Sequence, residues 1–259
     1  MTYTWILKRA LIAGLMIGVL SGAYMFTVVE PVVDRAIALE EAMSAIAEVD
    51  QPAEDAGHHD EPLYTRDEQK GGGALAMVMF ALALALVFGT LFSARRHVLP
   101  GATDFHRAVW LSLVGFAAFA LMPSIKYPAN PPAVGDPDTV GERSAQYVAI
   151  IVISVVLVIA LSRLSLVLRS RLDDPTRVVA VAAATVVAFG LVLVLMPTSP
   201  DVIDPAVPAA LVWDFRLRSL GGLALLWIGF GLGFGWLLTR TPAAVDQSPD
   251  DRQLVAAGT

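Results

Sequence analysis

The chain contains no cysteine, and only 16% of its residues are charged. The missing thiols exclude disulfides, thiolate metal sites, iron–sulfur clusters and cysteine nucleophiles. In ordinary soluble domains about a quarter of the residues are charged, whereas hydrophobic residues make up 56% of this chain. The composition therefore predicts a membrane protein, and its 259 residues suit one helical domain.

Motifs of two further classes are missing. The formal net charge is −6, and no basic stripe with interleaved aromatic residues occurs, which argues against nucleic-acid binding. The sequence also lacks the phosphate loop G-x-x-x-x-G-K-[ST], the zinc motif H-E-x-x-H and the nucleophile elbow G-x-S-x-G. We therefore expect neither enzyme activity nor a bound cofactor.

Six apolar segments predict transmembrane helices and an all-α, polytopic integral membrane protein. A hydrocarbon core about 30 Å thick needs roughly 20 helical residues, and only the third segment, which stops at Pro123, is short of that length. We place a membrane domain at residues 1–240 and a disordered tail at residues 241–259. The predicted spans are about residues 6–29, 74–92, 106–122, 147–168, 178–196 and 220–238.

The first segment allows two interpretations. Its apolar run after Lys8-Arg9 ends in Ser21-Gly22-Ala23, which resembles a cleaved signal peptide. Against cleavage, Gly14, Gly18 and Gly22 repeat at four-residue spacing on one helix face, and such faces let helices approach closely. We favour a retained helix whose glycines serve packing, and the glycine-rich last segment is its expected partner.

The distribution of charge predicts the topology. With both termini in the cytoplasm, the inner side carries eleven cations and six carboxylates, and the outer side seven cations and 18 carboxylates. The two short inner loops hold most of the cations, as the positive-inside rule requires. An anionic outer surface raises the local concentration of cations.

The predicted outer loops are residues 30–73, 123–146 and 197–219. The first begins with an amphipathic helix from Pro31 and carries adjacent metal-binding side chains. Imidazole and carboxylate ligands suit divalent Co, Ni, Zn or Cu, but neighbours in a polar loop make a weak capture site at most. The alternative is a solvated acidic loop without a metal. The candidate ligands are His58, His59, Asp60 and Glu61.

The second outer loop reads K-Y-P-A-N-P-P-A-V-G-D-P-D from Lys126 to Asp138. Proline fixes φ and extends the residue before it, so no helix runs through this stretch. We predict a stiff polar cap in which Lys126 pairs with Asp136 or Asp138. In the third loop, we expect Asp214 with Arg216 or Arg218 to reach Lys126 or Asp136, or else to form an interfacial anchor with Trp213.

Four stretches together resemble the CbtA family, the proposed cobalt transporter subunit. They are the proline loop extended to Thr139, R-S-L-G-G-L-A-L-L-W before the last span, the His/acid loop and the N-terminal K-R-A-L-I-A-G-L. The resemblance implies a multi-span inner-membrane protein that works with CbtB, a small single-span protein carrying histidines. The family-typical positions are Lys126, Tyr127, Pro128, Asn130, Pro131, Pro132, Gly135, Asp136 and Pro137.

Two functions are compatible with these observations. The first is a membrane subunit that takes up cobalt or another divalent transition metal, with the metal as cargo. Ionisable residues are scarce inside the spans, which argues against a proton-coupled pump. The second is a scaffold in the lipid bilayer that assembles a partner protein without transporting anything itself.

Overall fold

The computed structural model describes residues 1–49, 64–132 and 134–240, and all regular elements in these ranges are helical. The predicted tail at 241–259 and the four candidate metal ligands at 58–61 lie outside them. The helices are α1 Tyr3–Tyr24, α2 Glu30–Val49, α3 Arg66–Arg95, α4 Asp104–Phe116, α5 Met122–Lys126, α6 Val140–Leu168, α7 Asp174–Leu195 and α8 Ala209–Thr239.

Six helical stretches in the described part are long and apolar enough to cross a membrane, which confirms the six-helix, all-α prediction. All six are longer than the apolar segments suggested. The first runs continuously from Tyr3 to Ile46, the third from Asp104 to Lys126, and the last from Ala209 to Thr239. The third, predicted to stop at Pro123, has 23 residues and therefore reaches the length that a membrane requires.

Two π-helical turns explain why helices pass through prolines. The turn Met25–Val29 joins α1 to α2, and the turn Ala117–Leu121 joins α4 to α5. In each case a proline follows two residues later, Pro31 and Pro123. A proline lacks an N–H group and collides with the carbonyl four residues earlier, and a wider i→i+5 turn accommodates that defect. Pro31 therefore continues the first helix and does not open a separate one.

The glycines of α1 pack against α3, not against α8 as expected. A Cβ atom on Gly14 would lie 2.6 Å from the Cβ of Ala85, and one on Gly18 would lie 2.9 Å from the Cα of Val78. On Gly22 it would meet the Ala74 carbonyl oxygen at 3.0 Å. These contacts leave no room for a side chain, so the glycine face sets the distance between the two helix backbones.

Helix α8 lies at the centre of the bundle and packs on α1 and α4. Its Phe230 and Phe234 meet α3 in edge-to-face pairs, with ring centroids 4.9 Å apart for Phe88–Phe230 and 5.2 Å apart for Phe92–Phe234. All four rings are buried. Such pairs add about 0.5–1.5 kcal/mol each beyond their buried area, so this cluster stabilises the junction of α3 and α8.

Arg9 ties the start of α1 to the end of α8. Its Nε donates to the Leu237 carbonyl at 2.9 Å and its Nη2 to the Arg240 carbonyl at 2.7 Å. Both ends of the described bundle therefore lie at one face, which we call the terminal face. The opposite face, which carries Lys126 and the loop between α7 and α8, we call the cap face.

Helices α6 and α7 form a peripheral hairpin. The buried residues of α6 are Gln146, Ile150 and Ser154, all in the half nearer the cap face. Along its described length α7 has no buried residue. The hairpin is thus attached to the bundle at its cap end, where Ile150 packs with Met122 and Tyr127.

Candidate functional site

A single carboxylate organises the cap face. The side chain of Asp201, in the loop between α7 and α8, is only 2% exposed. Its Oδ2 accepts hydrogen bonds from Asn130 Nδ2 at 2.6 Å and from Arg143 Nη1 at 2.9 Å, and its Oδ1 accepts one from the Asp136 backbone N–H at 2.9 Å. Charge-assisted bonds of this kind are the strong ones, so Asp201 holds the proline loop and the start of α6 together.

Gly135 is required beside this carboxylate for two reasons. Its φ angle is +126°, a conformation that residues with side chains rarely adopt. A Cβ atom at this position would also lie 2.7 Å from Asp201 Oδ1. Any side chain here would strain the backbone and displace the carboxylate, which explains the glycine between the prolines of this loop.

Helix α8 contributes Arg216 to the residues that are hydrogen-bonded around Asp201. Arg216 Nη2 donates to Asn130 Oδ1 at 2.7 Å, and Arg216 Nε donates to the Ala129 carbonyl at 3.3 Å. The proline loop, α6, the loop after α7 and α8 are therefore joined in one hydrogen-bonded unit. We call it the Asp201 cap and define it by Asn130, Gly135, Asp136, Arg143, Asp201 and Arg216.

The predicted pairing of Lys126 with Asp136 or Asp138 is wrong. Lys126 Nζ donates to the Leu193 carbonyl near the end of α7, at 2.8 Å. The residue four positions later is Pro197, which has no N–H group to satisfy that carbonyl. The ammonium group thus replaces a missing backbone donor and caps the end of α7.

Tyr127 reinforces the same junction. Its hydroxyl donates to the Pro197 carbonyl at 2.9 Å, and its ring packs with Met122 and Ile150. Burial raises the pKa of the Tyr127 phenol above its ordinary value, so the group stays protonated and keeps donating across the neutral pH range. Lys126 and Tyr127 together fasten the end of α7 to the end of α5.

The role of Lys126 can be tested by removing its charge while keeping its length. We expect Lys126→Met to lower the free energy of unfolding by about 1.5 kcal/mol, the range for a hydrogen bond to a charged group. The measurement is thermal or denaturant unfolding of the purified protein in detergent. Lys8→Met, at an exposed position on α1, is the matched control and should change little. Equal stability of the two variants would contradict this role.

A second group of charges joins α2 to α3 at the cap face. Arg66 contacts the carboxylate of the buried Glu30 and donates to Asp34 Oδ1 at 3.0 Å. Lys70 Nζ lies 2.7 Å from Asp34 Oδ2, and Thr65 caps the start of α3. The two carboxylates are neutralised by two cations, so the acidic α2 segment contributes less free negative charge than its composition suggests.

A third group places Asp214 away from the proline loop. Asp214 Oδ2 pairs with Arg35 at 2.9 Å and with Arg218 at 3.4 Å, and Arg218 also donates to the Val28 carbonyl at 2.9 Å. The expected contact of Asp214 with Lys126 or Asp136 is therefore wrong, because the carboxylate pairs with Arg35 and Arg218 instead. Arg216, two residues from Asp214, joins the Asp201 cap.

No three His, Asp or Glu side chains within residues 1–49, 64–132 and 134–240 stand close enough to hold a metal ion. The Asp201 cap shows one reason why its carboxylate is not a metal ligand. Asp201 is already occupied by three donors, and a metal would have to displace a guanidinium to bind there. The candidate capture residues His58, His59, Asp60 and Glu61 stay a prediction, since they lie outside the described residues.

Comparison with protein families supports the resemblance seen in the sequence. Residues 4–239 match the CbtA family, described as "Probable cobalt transporter subunit (CbtA)". No curated protein matches the chain, and no solved structure does. The family match includes all six membrane-crossing helices and every residue of the Asp201 cap. The chain therefore belongs to the CbtA family.

Proposed function

We propose that this chain is the membrane subunit of an uptake system for cobalt or a similar divalent transition metal in the inner membrane. The observation that carries the proposal is the family match over residues 4–239, which covers the whole helical bundle. The word subunit in the family description implies a partner. A small single-span protein with histidines, of the CbtB type, is the partner we infer.

The proposed orientation puts the terminal face in the cytoplasm and the cap face outside. The loops between α3 and α4 and between α6 and α7 lie at the terminal face, and together with the adjoining helix ends they carry seven arginines, which favours this orientation. These are Arg95, Arg96, Arg107, Arg163, Arg169, Arg171 and Arg177. The cap face then points to the solution from which the metal is taken up. Its excess of carboxylates supports cation attraction.

In this proposal the Asp201 cap fixes the shape of the outer surface and does not bind metal. The Asp201 carboxylate is shielded, and Arg143, Arg216 and the neighbouring Lys126 all donate to protein oxygens. Because Arg143 is paired with Asp201 and Arg216 is hydrogen-bonded to the proline loop, the cap presents no free cation to repel the cargo. Capture is then left to the histidine and acidic residues of the loop before α3, or to the partner's histidines.

The first experiment measures radiolabelled cobalt uptake in cells that lack other cobalt importers and express the chain with and without its partner. We expect uptake that needs this chain and falls by about tenfold at low cobalt in the His58→Ala/His59→Ala double variant, because local capture raises the encounter rate. The matched control, His97→Ala/His106→Ala, removes two histidines from the terminal face and should transport normally.

The outcomes separate the parts of the proposal. Uptake that needs the chain but ignores His58 and His59 would move capture to the partner. No uptake in any combination, with the protein shown to be in the membrane, would contradict transport by this chain.

A second candidate function, a scaffold that holds a partner, is favoured by the peripheral hairpin. Helix α7 has no buried residue along Asp174–Leu195, so the side that does not contact α6 and α5 is available to lipid or to another membrane helix. The scaffold predicts co-purification with a small membrane protein and no metal flux that depends on this chain.

A further inference from the structure

Two buried oxygens on one side of α6 have no hydrogen-bond partner in the described part of the chain. They are Gln146 Oε1 and Ser154 Oγ, and both atoms are inaccessible to solvent. Gln146 is 8% exposed and Ser154 is 0% exposed. A buried oxygen without a partner costs about 1–3 kcal/mol, so such a group in a native protein calls for an explanation, of which a bound water or ion is one.

The lack of a partner at Ser154 contrasts with other hydroxyls in the same hairpin. Ser162 Oγ donates to the Val158 carbonyl and Thr185 Oγ1 to the Val181 carbonyl, both at 2.7 Å. Those two hydroxyls satisfy themselves on their own helices. Ser154 makes no such bond, although its oxygen is buried in the protein interior.

The two oxygens belong to a polar stripe that starts at the cap face. Glu142, exposed at the first turn of α6, accepts a hydrogen bond from Gln146 Nε2 at 2.9 Å. Positions 142, 146, 150 and 154 follow at four-residue spacing and share one side of the helix. Gln146 and Ser154 are eight residues apart, which is about 12 Å along the helix axis. The stripe therefore leads from the surface toward the middle of the membrane.

The stripe residue Ile150 packs with Met122, at the start of α5 and directly after the second π-helical turn. The neighbours of α6 are the turn Ala117–Leu121, α5 and α7. A π-helical turn disrupts the regular i→i+4 bonding of its carbonyls, and such turns are frequent at functional sites. Irregular backbone at membrane depth is tolerated where it is buried in protein or lines a water-filled cavity.

We propose that Glu142, Gln146 and Ser154 line a hydrated route for the transported cation between α6 and the α4–α5 helix. This rests on the proposed function, because the cargo is the divalent metal named there. The neutral oxygens of Gln146 and Ser154 would replace part of the hydration shell of a hard or borderline cation without trapping it, as conduction requires. Arg143 at the mouth is neutralised by Asp201, with 2.9 Å between Nη1 and Oδ2.

Ile150 closes the route in this structure. It is 0% exposed, lies between the two polar positions and packs with Met122 and Tyr127. An apolar ring of this kind blocks ions by excluding water, so the route opens only when α6 moves relative to α5. Because Tyr127 is also bonded to Pro197, the closed position is coupled to the end of α7.

The absence of cysteine makes the test direct, since each introduced thiol is the sole one in the chain. We would prepare Gln146→Cys and Ser154→Cys with the partner present, and label them in intact cells with a membrane-impermeant cationic methanethiosulfonate. The matched controls are Val152→Cys and Val156→Cys, at positions of α6 that are 54% and 57% exposed on the bundle surface and expected to face lipid. Labelling after denaturation measures the amount of each variant.

We expect the thiols at 146 and 154 to react at least about tenfold faster than the two lipid-facing thiols, because the reactive thiolate forms in water and is suppressed in apolar surroundings. Added cobalt should slow the reaction at both positions. Reaction at 154 no faster than at 156 would overturn the route.

Cobalt uptake by the same cells distinguishes a failure of the proposed route from a failure of the proposed function. Normal uptake with unreactive thiols would leave the proposed function standing and remove the route. Reactive thiols that cobalt does not protect, in cells without uptake, would keep a hydrated route and contradict cobalt as its cargo.

Discussion

Replacing Asp201 with asparagine is expected to open the cap face and to lower the free energy of unfolding by about 3 kcal/mol. The change keeps the shape of the side chain but removes its charge and turns one acceptor into a donor, facing Asn130 and Arg143. Loss of one partner from a buried ion pair costs about 3–5 kcal/mol. The lower end applies because the Arg143 side chain is 29% exposed and can be rehydrated.

Unfolding in detergent and limited proteolysis of the proline loop measure this effect together. Asp204→Asn is the matched control, because Asp204 is an exposed acid in the same loop and, among the described residues, its carboxylate accepts one hydrogen bond, from the nearby Ala206 N–H. Gly135→Ala should reproduce the Asp201 result through steric displacement of the carboxylate. An Asp201→Asn variant with the stability and protease pattern of Asp204→Asn would show that the cap does not depend on this carboxylate.

Replacing Gly18 with leucine is the second change with a large expected effect. The new Cβ atom would lie 2.9 Å from the Cα of Val78 and 3.0 Å from the Cβ of Ala81. Because a backbone atom of α3 is the obstacle, rotation of a neighbouring side chain cannot relieve the clash. Overpacking costs typically about 1–3 kcal/mol, and the upper value is expected here since two helix backbones must separate.

The controls for Gly18→Leu are Gly190→Leu and Gly233→Leu. Both glycines lie in helices, and a Cβ atom at either position meets nothing within 4 Å. Their variants should be as stable as the parent or slightly more so, because leucine favours helix more than glycine does. If all three variants unfold at the same temperature, close contact between α1 and α3 does not determine stability.

The six spans were predictable because hydrophobic length is a local property of the sequence. The end of the third span was not, because a proline usually ends a helix and the π-helical turn that tolerates Pro123 has no clear sequence signal. The glycine face of α1 could be recognised in the sequence, but the helix that packs against it could not. Alanines on α3 meet those glycines, and alanine is too common in membrane helices to mark an interface.

The candidate site was only half predictable. The proline loop was recognised as stiff, yet Asp201, 63 positions after Asp138 along the chain, is one acid among several in its loop. Asp138, a close acid in the sequence, misled the interpretation of Lys126. The informative signal was Pro197, because a proline at that position deprives the Leu193 carbonyl of its helical donor. Searching for such orphaned carbonyls would have pointed to Lys126.

The π-helical turn Ala117–Leu121 also makes the cap sensitive to the length of the chain before it. Each residue turns an α-helix by about 100°, and the extra residue in the wide turn sets the direction in which Lys126 and Tyr127 leave α5. Deleting one residue there would restore a regular helix but rotate both side chains away from Leu193 and Pro197. The number of residues in the third membrane helix therefore fixes the direction in which Lys126 and Tyr127 point. That number is as constrained as the hydrophobicity of the helix.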